Sequence, residues 1–84
     1  MSINSTTSLS ELLEHAKQSL KDVRREDGEF VVKDLFRGFE WNRIGRGDRT
    51  KLGSMFLSYV QHEGASFIES TDKTPQNQQK YKLK

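Results

Sequence analysis

Between Phe39 and Glu63 the chain reads FEWNRIGRGDRTKLGSMFLSYVQHE, and Leu52, Met55, Phe56, Tyr59 and Val60 within it fall at i, i+3, i+4, i+7 and i+8. That spacing places five apolar side chains on one stripe of a helix. A stripe of this kind is unstable in water until other elements cover it, so the remaining chain must fold around it. The pattern predicts a helix over 47–62, with Asp48 in the first turn, where its charge suits the helix dipole, and Gly64 as the closing glycine. Residues 39–47 are read as the connector before it. Gly45 and Gly47 are expected to let the chain turn sharply there, while Phe39, Trp41 and Ile44 plug the core.

The flanking segments supply candidate partners for that stripe. Ser8 with Glu11 fits a capping box, and Leu9, Leu12, Leu13, Ala16, Leu20 and Val23 follow at helical spacing, which predicts a first helix over about 9–24. Asp27-Gly28 is a turn signal. Residues 29–32 read as a short strand, and residues 33–36 as a short second helix stopped by Gly38. After Gly64, residues 65–69 and 79–83 read as two strands of a hairpin, joined by a polar loop over 70–78 that contains Thr74-Pro75 and Asn77. Residues 1–7 are expected to be a flexible terminus and residues 8–84 a single domain.

Helix, short strand, short helix, turn, long helix and hairpin is the element order of a winged helix-turn-helix domain, an α+β fold in which the hairpin is the wing. In that arrangement Arg43, Arg46, Arg49 and Lys51 gather at the entrance of the third helix, with Thr50 and Ser54 on the same exposed flank. Guanidinium groups there suit phosphate contacts or bidentate pairing with guanine. Gln78, Lys80 and Lys82, with Gln76 and Asn77, lie on the wing, where amides and lysines reach a backbone or a minor groove. Arg37 is a weaker member of the set. Each residue has a plainer reading: Arg49 pairing with a carboxylate, or Lys80 and Lys82 forming the solvated face of an edge strand.

Charge distribution agrees with a polyanion partner. Residues 1–30 hold four Lys/Arg against six Asp/Glu, a net of −2, whereas residues 31–84 hold ten against six, a net of +4. Other chemistries are thinly supported. With no cysteine and only His15 and His62, the chain has no thiolate metal site and no obvious zinc set. A glycine-framed nucleophile beside a histidine and a phosphate-cradling GxxxxGK[ST] motif are both missing. No apolar run approaches the roughly 18 residues of a membrane span. The expectation is a non-enzymatic, cytoplasmic DNA-binding protein without a cofactor, monomer or homodimer, meeting duplex in preference to single strand. The competing expectation is a protein-interaction adaptor on the same fold.

The run Asp34-Leu35-Phe36, Glu40-Trp41-Asn42-Arg43-Ile44, Arg46-Gly47-Asp48-Arg49, Leu52-Gly53, Phe56-Leu57 and Val60, followed by Lys73-Thr74 and Gln78-Gln79-Lys80-Tyr81, resembles the domain-of-unknown-function 1413 family of short Gram-positive bacterial and phage proteins. The resemblance spans about residues 9–82. Gly45 stands where that pattern would place a proline or serine. The family has no established activity, so the resemblance implies membership and not a reaction.

Overall fold

The third helix forms where its apolar stripe places it. In the computed structural model, which describes residue 3 and residues 6–84, α3 runs Arg46–His62 and buries Leu52, Phe56 and Val60, with Tyr59 packed at the margin and Met55 half-buried. Full burial of a side chain of this kind contributes about 1.5–3 kcal/mol, so these three residues anchor the domain. At its C-terminal end the amides of Glu63 and Gly64 both donate to the Tyr59 carbonyl, each at 2.8 Å. Gly64 does not adopt the left-handed conformation expected of a closing glycine. It is needed for proximity, because a Cβ there would lie 3.2 Å from the α-carbon of Val60.

Helix α1 covers Leu9–Ser19 and continues as a 3-10 turn over Leu20–Asp22, shorter than the expected 9–24. Its start carries the hydroxyl half of the expected capping box: the Glu11 amide donates to Ser8 Oγ at 3.2 Å. Val23 is already extended, so its place in the apolar periodicity is filled by a packed loop residue. Leu12, Ala16 and Leu20 face α3 and complete a common core.

The middle of the chain departs from the sequence reading. Residues 29–32 make one bridge and not a strand: Phe30 and Tyr81 exchange both backbone hydrogen bonds, at 2.8 and 2.7 Å. The expected second helix at 33–36 is a 3-10 turn over Val32–Leu35, whose start is tied by the Val31 amide donating to Asp34 Oδ2 at 3.1 Å. Gly38 starts a helix where it was expected to stop one. Helix α2 is Gly38–Arg43, and it turns Trp41 inward with Ile44 behind it while Phe39 stays 54% exposed. Burying Trp41 and Ile44 fixes the helix rotation, and residue 39 then points outward. The two residues Ile44 and Gly45 join α2 to α3. Gly45 has the ordinary extended angles φ −64° and ψ 154°, and Gly47 is inside α3, so neither glycine makes the sharp turn expected of it.

The hairpin is β1, Ile68–Lys73, paired antiparallel with β2, Gln79–Leu83, in the register Ile68 with Leu83, Glu69 with Lys82 and Ser70 with Tyr81. The register shifts between Ser70 and Lys73. The loop is therefore 74–78, tighter than the expected 70–78. Pro75 sits second in the turn, and the Asn77 amide donates to the Thr74 carbonyl at 2.8 Å. Asn77 takes φ 66°, a left-handed angle that asparagine accepts more readily than most residues. Ile68 and Tyr81 drive into the core, and the Tyr81 ring meets Phe56 edge-on at 5.0 Å. Three helices and a C-terminal two-stranded antiparallel sheet give an α+β arrangement consistent with a winged helix. Most of the terminus expected to be flexible, residues 1, 2, 4 and 5, lies outside the described residues. Ile3 is fully buried.

Candidate functional site

The N-terminal half of α3 and the hairpin tip bound one groove of about 650 Å³. Helix α3 contributes Arg46, Arg49, Thr50, Gly53, Ser54 and Leu57. The hairpin contributes Lys73, Gln76, Asn77, Gln78, Gln79 and Tyr81, and the middle segment closes the hollow with Val31, Val32, Lys33 and Trp41. Among the described residues, four cations and no carboxylate or histidine line it. In a chain with twelve Asp/Glu, an acid-free concavity is a strong electrostatic bias.

The four cations are held differently. Arg49 is fixed: its Nε donates to the Ile44 carbonyl at 2.9 Å, and its guanidinium lies 5.5 Å from the Trp41 ring centroid. Two anchors on one planar group hold it rigid, and no carboxylate among the described residues neutralises it. Arg46, Lys33 and Lys73 make no ion pair or side-chain hydrogen bond among the described residues. Thr50 Oγ1 donates to the Arg46 carbonyl at 3.2 Å, leaving its lone pairs unused. The amide of Gln79 is occupied by the Thr71 carbonyl at 2.7 Å, but the side-chain amides of Gln76, Asn77 and Gln78 make no hydrogen bond within the described residues.

Two features of the groove run against stability. Gly53 sits in the middle of α3, where glycine costs about 1 kcal/mol relative to alanine. No packing explains it, since nothing lies within 4 Å of where its Cβ would be. Tyr81 is fully buried and its hydroxyl has no hydrogen-bond partner among the described residues. Burial pushes that phenol up to about 12.

Not every expected residue joins the groove. Arg46, Arg49, Thr50, Ser54 and Gln78 do. Arg43 turns away, with Nη1 donating to the Ile3 carbonyl at 3.0 Å and the guanidinium 5.1 Å from the Phe39 ring centroid. Lys51 is exposed on another face of α3. The hairpin lysines are engaged with acids: Lys80 lies 3.8 Å from Glu29, and Lys82 lies 3.3 Å from its cross-strand neighbour Glu69. Glu29 also accepts a hydrogen bond from the Thr71 hydroxyl, and that bond, aided by the charges of Lys80 and Lys82, lowers its pKa against the opposing cost of desolvation. Lys33, Lys73 and Gly53 line the groove without standing among the site residues that the sequence points to. Lys73 directly precedes the Thr74-Pro75 turn, and a loop read as 74–78 would have put it at the tip.

A second hollow has the opposite character. Asp22, Asp27, Glu29, Asp34 and Glu40 line it together with Arg37 and with His15, whose ring stacks on Phe36 at 4.8 Å. It shares no residue with the basic groove.

No curated protein and no solved structure matches the chain. No helix among the described residues is long and apolar enough to cross a membrane. The sequence profile of a family of unknown function does match, over residues 14–82, and the chain accordingly belongs to the family described as domain of unknown function DUF1413.

Proposed function

We propose that this chain is a small non-enzymatic DNA-binding protein that grips a sugar–phosphate strand between α3 and the hairpin tip. The observation that carries the reading is the acid-free groove holding Lys33, Arg46, Arg49 and Lys73, three of them unpaired among the described residues. The position of Arg46 supports it further. A cation in the first turn of a helix faces the positive end of the dipole, a penalty of about 0.3–1 kcal/mol that a bound anion reverses. Asp48 offsets part of this, and the preceding Gly45 offers no side-chain cap. The groove's hydroxyls, Thr50 and Ser54, have no histidine or carboxylate beside them to activate one as a nucleophile, which favours binding over catalysis.

If four cations neutralise four phosphates of a duplex, the logarithm of the binding constant falls with the logarithm of salt with a slope of about −3.6. Fluorescence anisotropy of a labelled 20-base-pair duplex between 50 and 200 mM salt measures this. Arg46→Glu is expected to weaken binding at least tenfold, and Lys51→Glu, on another face of α3, less than threefold. Absence of binding to any DNA at micromolar protein and 50 mM salt overturns the proposal. It would leave the competing reading, a protein-interaction adaptor on the same fold.

A further inference from the structure

We infer that the basic groove is a seat for one nucleoside-phosphate unit, and not only a surface that tracks a backbone. This rests on the DNA-binding reading but asks more of the same site. A flat cationic face suffices for phosphates on a duplex. Here the surface is hollow, about 650 Å³, within the roughly 300–1,000 Å³ range of small-ligand sites. The hollow is kept open by Gly53. Thr50, Gly53, Ser54 and Leu57 form one stripe of α3 and line the hollow together, and a Cβ at 53 would meet nothing within 4 Å among the described residues.

The walls match the three parts of a nucleotide. Arg46 and Lys73, unpaired among the described residues, are cations for the phosphate. The side-chain amides of Asn77 and Gln78 are uncommitted donors and acceptors for a base edge. Leu57 and Trp41 supply apolar surface for the base or sugar. A unit of this kind has two sources: a free nucleoside monophosphate, or a single nucleotide left unpaired within DNA, whose edge and faces are free for protein contact.

The full chain separates these. Emission from Trp41, the chain's single tryptophan, reports occupancy of the groove. Four probes are titrated: thymidine 5′-monophosphate, inorganic phosphate, a blunt 20-base-pair duplex, and the same duplex with a one-nucleotide bulge. The expected result is that the bulged duplex binds at least tenfold tighter than the blunt one. Gly53→Leu should remove that preference and melt no lower than the parent, because leucine is the better helix former, whereas Lys51→Glu, outside the groove, should keep it. A response to the monophosphate but not to phosphate, without a bulge preference, assigns the seat to free nucleotides. Equal responses to phosphate and monophosphate with equal duplex affinities overturn the inference while leaving backbone binding intact. Failure of every probe to bind overturns both.

Discussion

Tyr81 offers a prediction whose size follows from its surroundings. Its side chain is fully buried between Phe30 and Phe56, and its hydroxyl has no partner among the described residues. An unsatisfied buried hydroxyl costs about 1–3 kcal/mol, so Tyr81→Phe, which removes one oxygen and keeps the ring, should stabilise the domain by about 1 kcal/mol at pH 7. The pH dependence is sharper. The phenol moves from its ordinary 10.0 up to about 12 on folding. Below pH 10 both states keep the proton and the group contributes its full stability. Between pH 10 and about 12 the unfolded chain ionises while the folded chain does not, so stability is lost as pH rises, at about 1.4 kcal/mol per unit. The total is roughly 2–3 kcal/mol. The informative quantity is the difference between parent and Tyr81→Phe. That gap should widen from about 1 kcal/mol at pH 8 to about 2 kcal/mol at pH 11 in urea melts followed by circular dichroism. A gap that is constant with pH, or a phenylalanine variant less stable than its parent at pH 7, would refute the reasoning.

Other expectations are simpler to check. Gly53→Ala should raise stability by about 1 kcal/mol, or about 4–8 °C in Tm for a domain of this size, whereas Gly64→Ala should lower it because its Cβ meets Val60; two thermal melts decide both. Ser8→Ala removes the oxygen that receives the Glu11 amide and should cost about 1 kcal/mol. Phe56→Ala empties the centre of the core at a cost of about 3–5 kcal/mol, enough to abolish a cooperative transition in a domain this small.

Long-period signals were readable in the residues and short ones were not. Leu52, Phe56 and Val60 repeat over enough turns to define α3 to within one residue of its start. Ser8 marks α1 because a cap is a local chemical requirement. Helix α2 escapes the sequence pattern because six residues span fewer than two turns, and one of its two buried residues, Glu40, is charged, which hides the i, i+3 spacing of Trp41 and Ile44. Strand β1 starts three residues later than the expected 65–69 because only Ile68 in it is fully buried, so alternation has nothing to register against. The site was half legible. Arginines at the helix entrance announce themselves by type, but whether Lys80 and Lys82 are available depended on Glu29 and Glu69, which only the register brings beside them. Gly53 is visible in the sequence only as a poor helix former inside the pattern, and its link to the groove appears only when the space above it is seen.

The segregation of the two hollows has a kinetic consequence. Five carboxylates, with Arg37 and His15 among them, line one and four cations the other, so a chain whose formal charge is only +2 still carries its two signs on separate surfaces. A body of that kind rotates in the field of a polyanion before it touches, and most unproductive approaches are turned aside at a distance of about one Debye length, ~10 Å at 0.1 M salt. Orientation would then be chosen during diffusion and not after collision, and adding electrolyte should slow capture by more than the small net charge would lead one to expect.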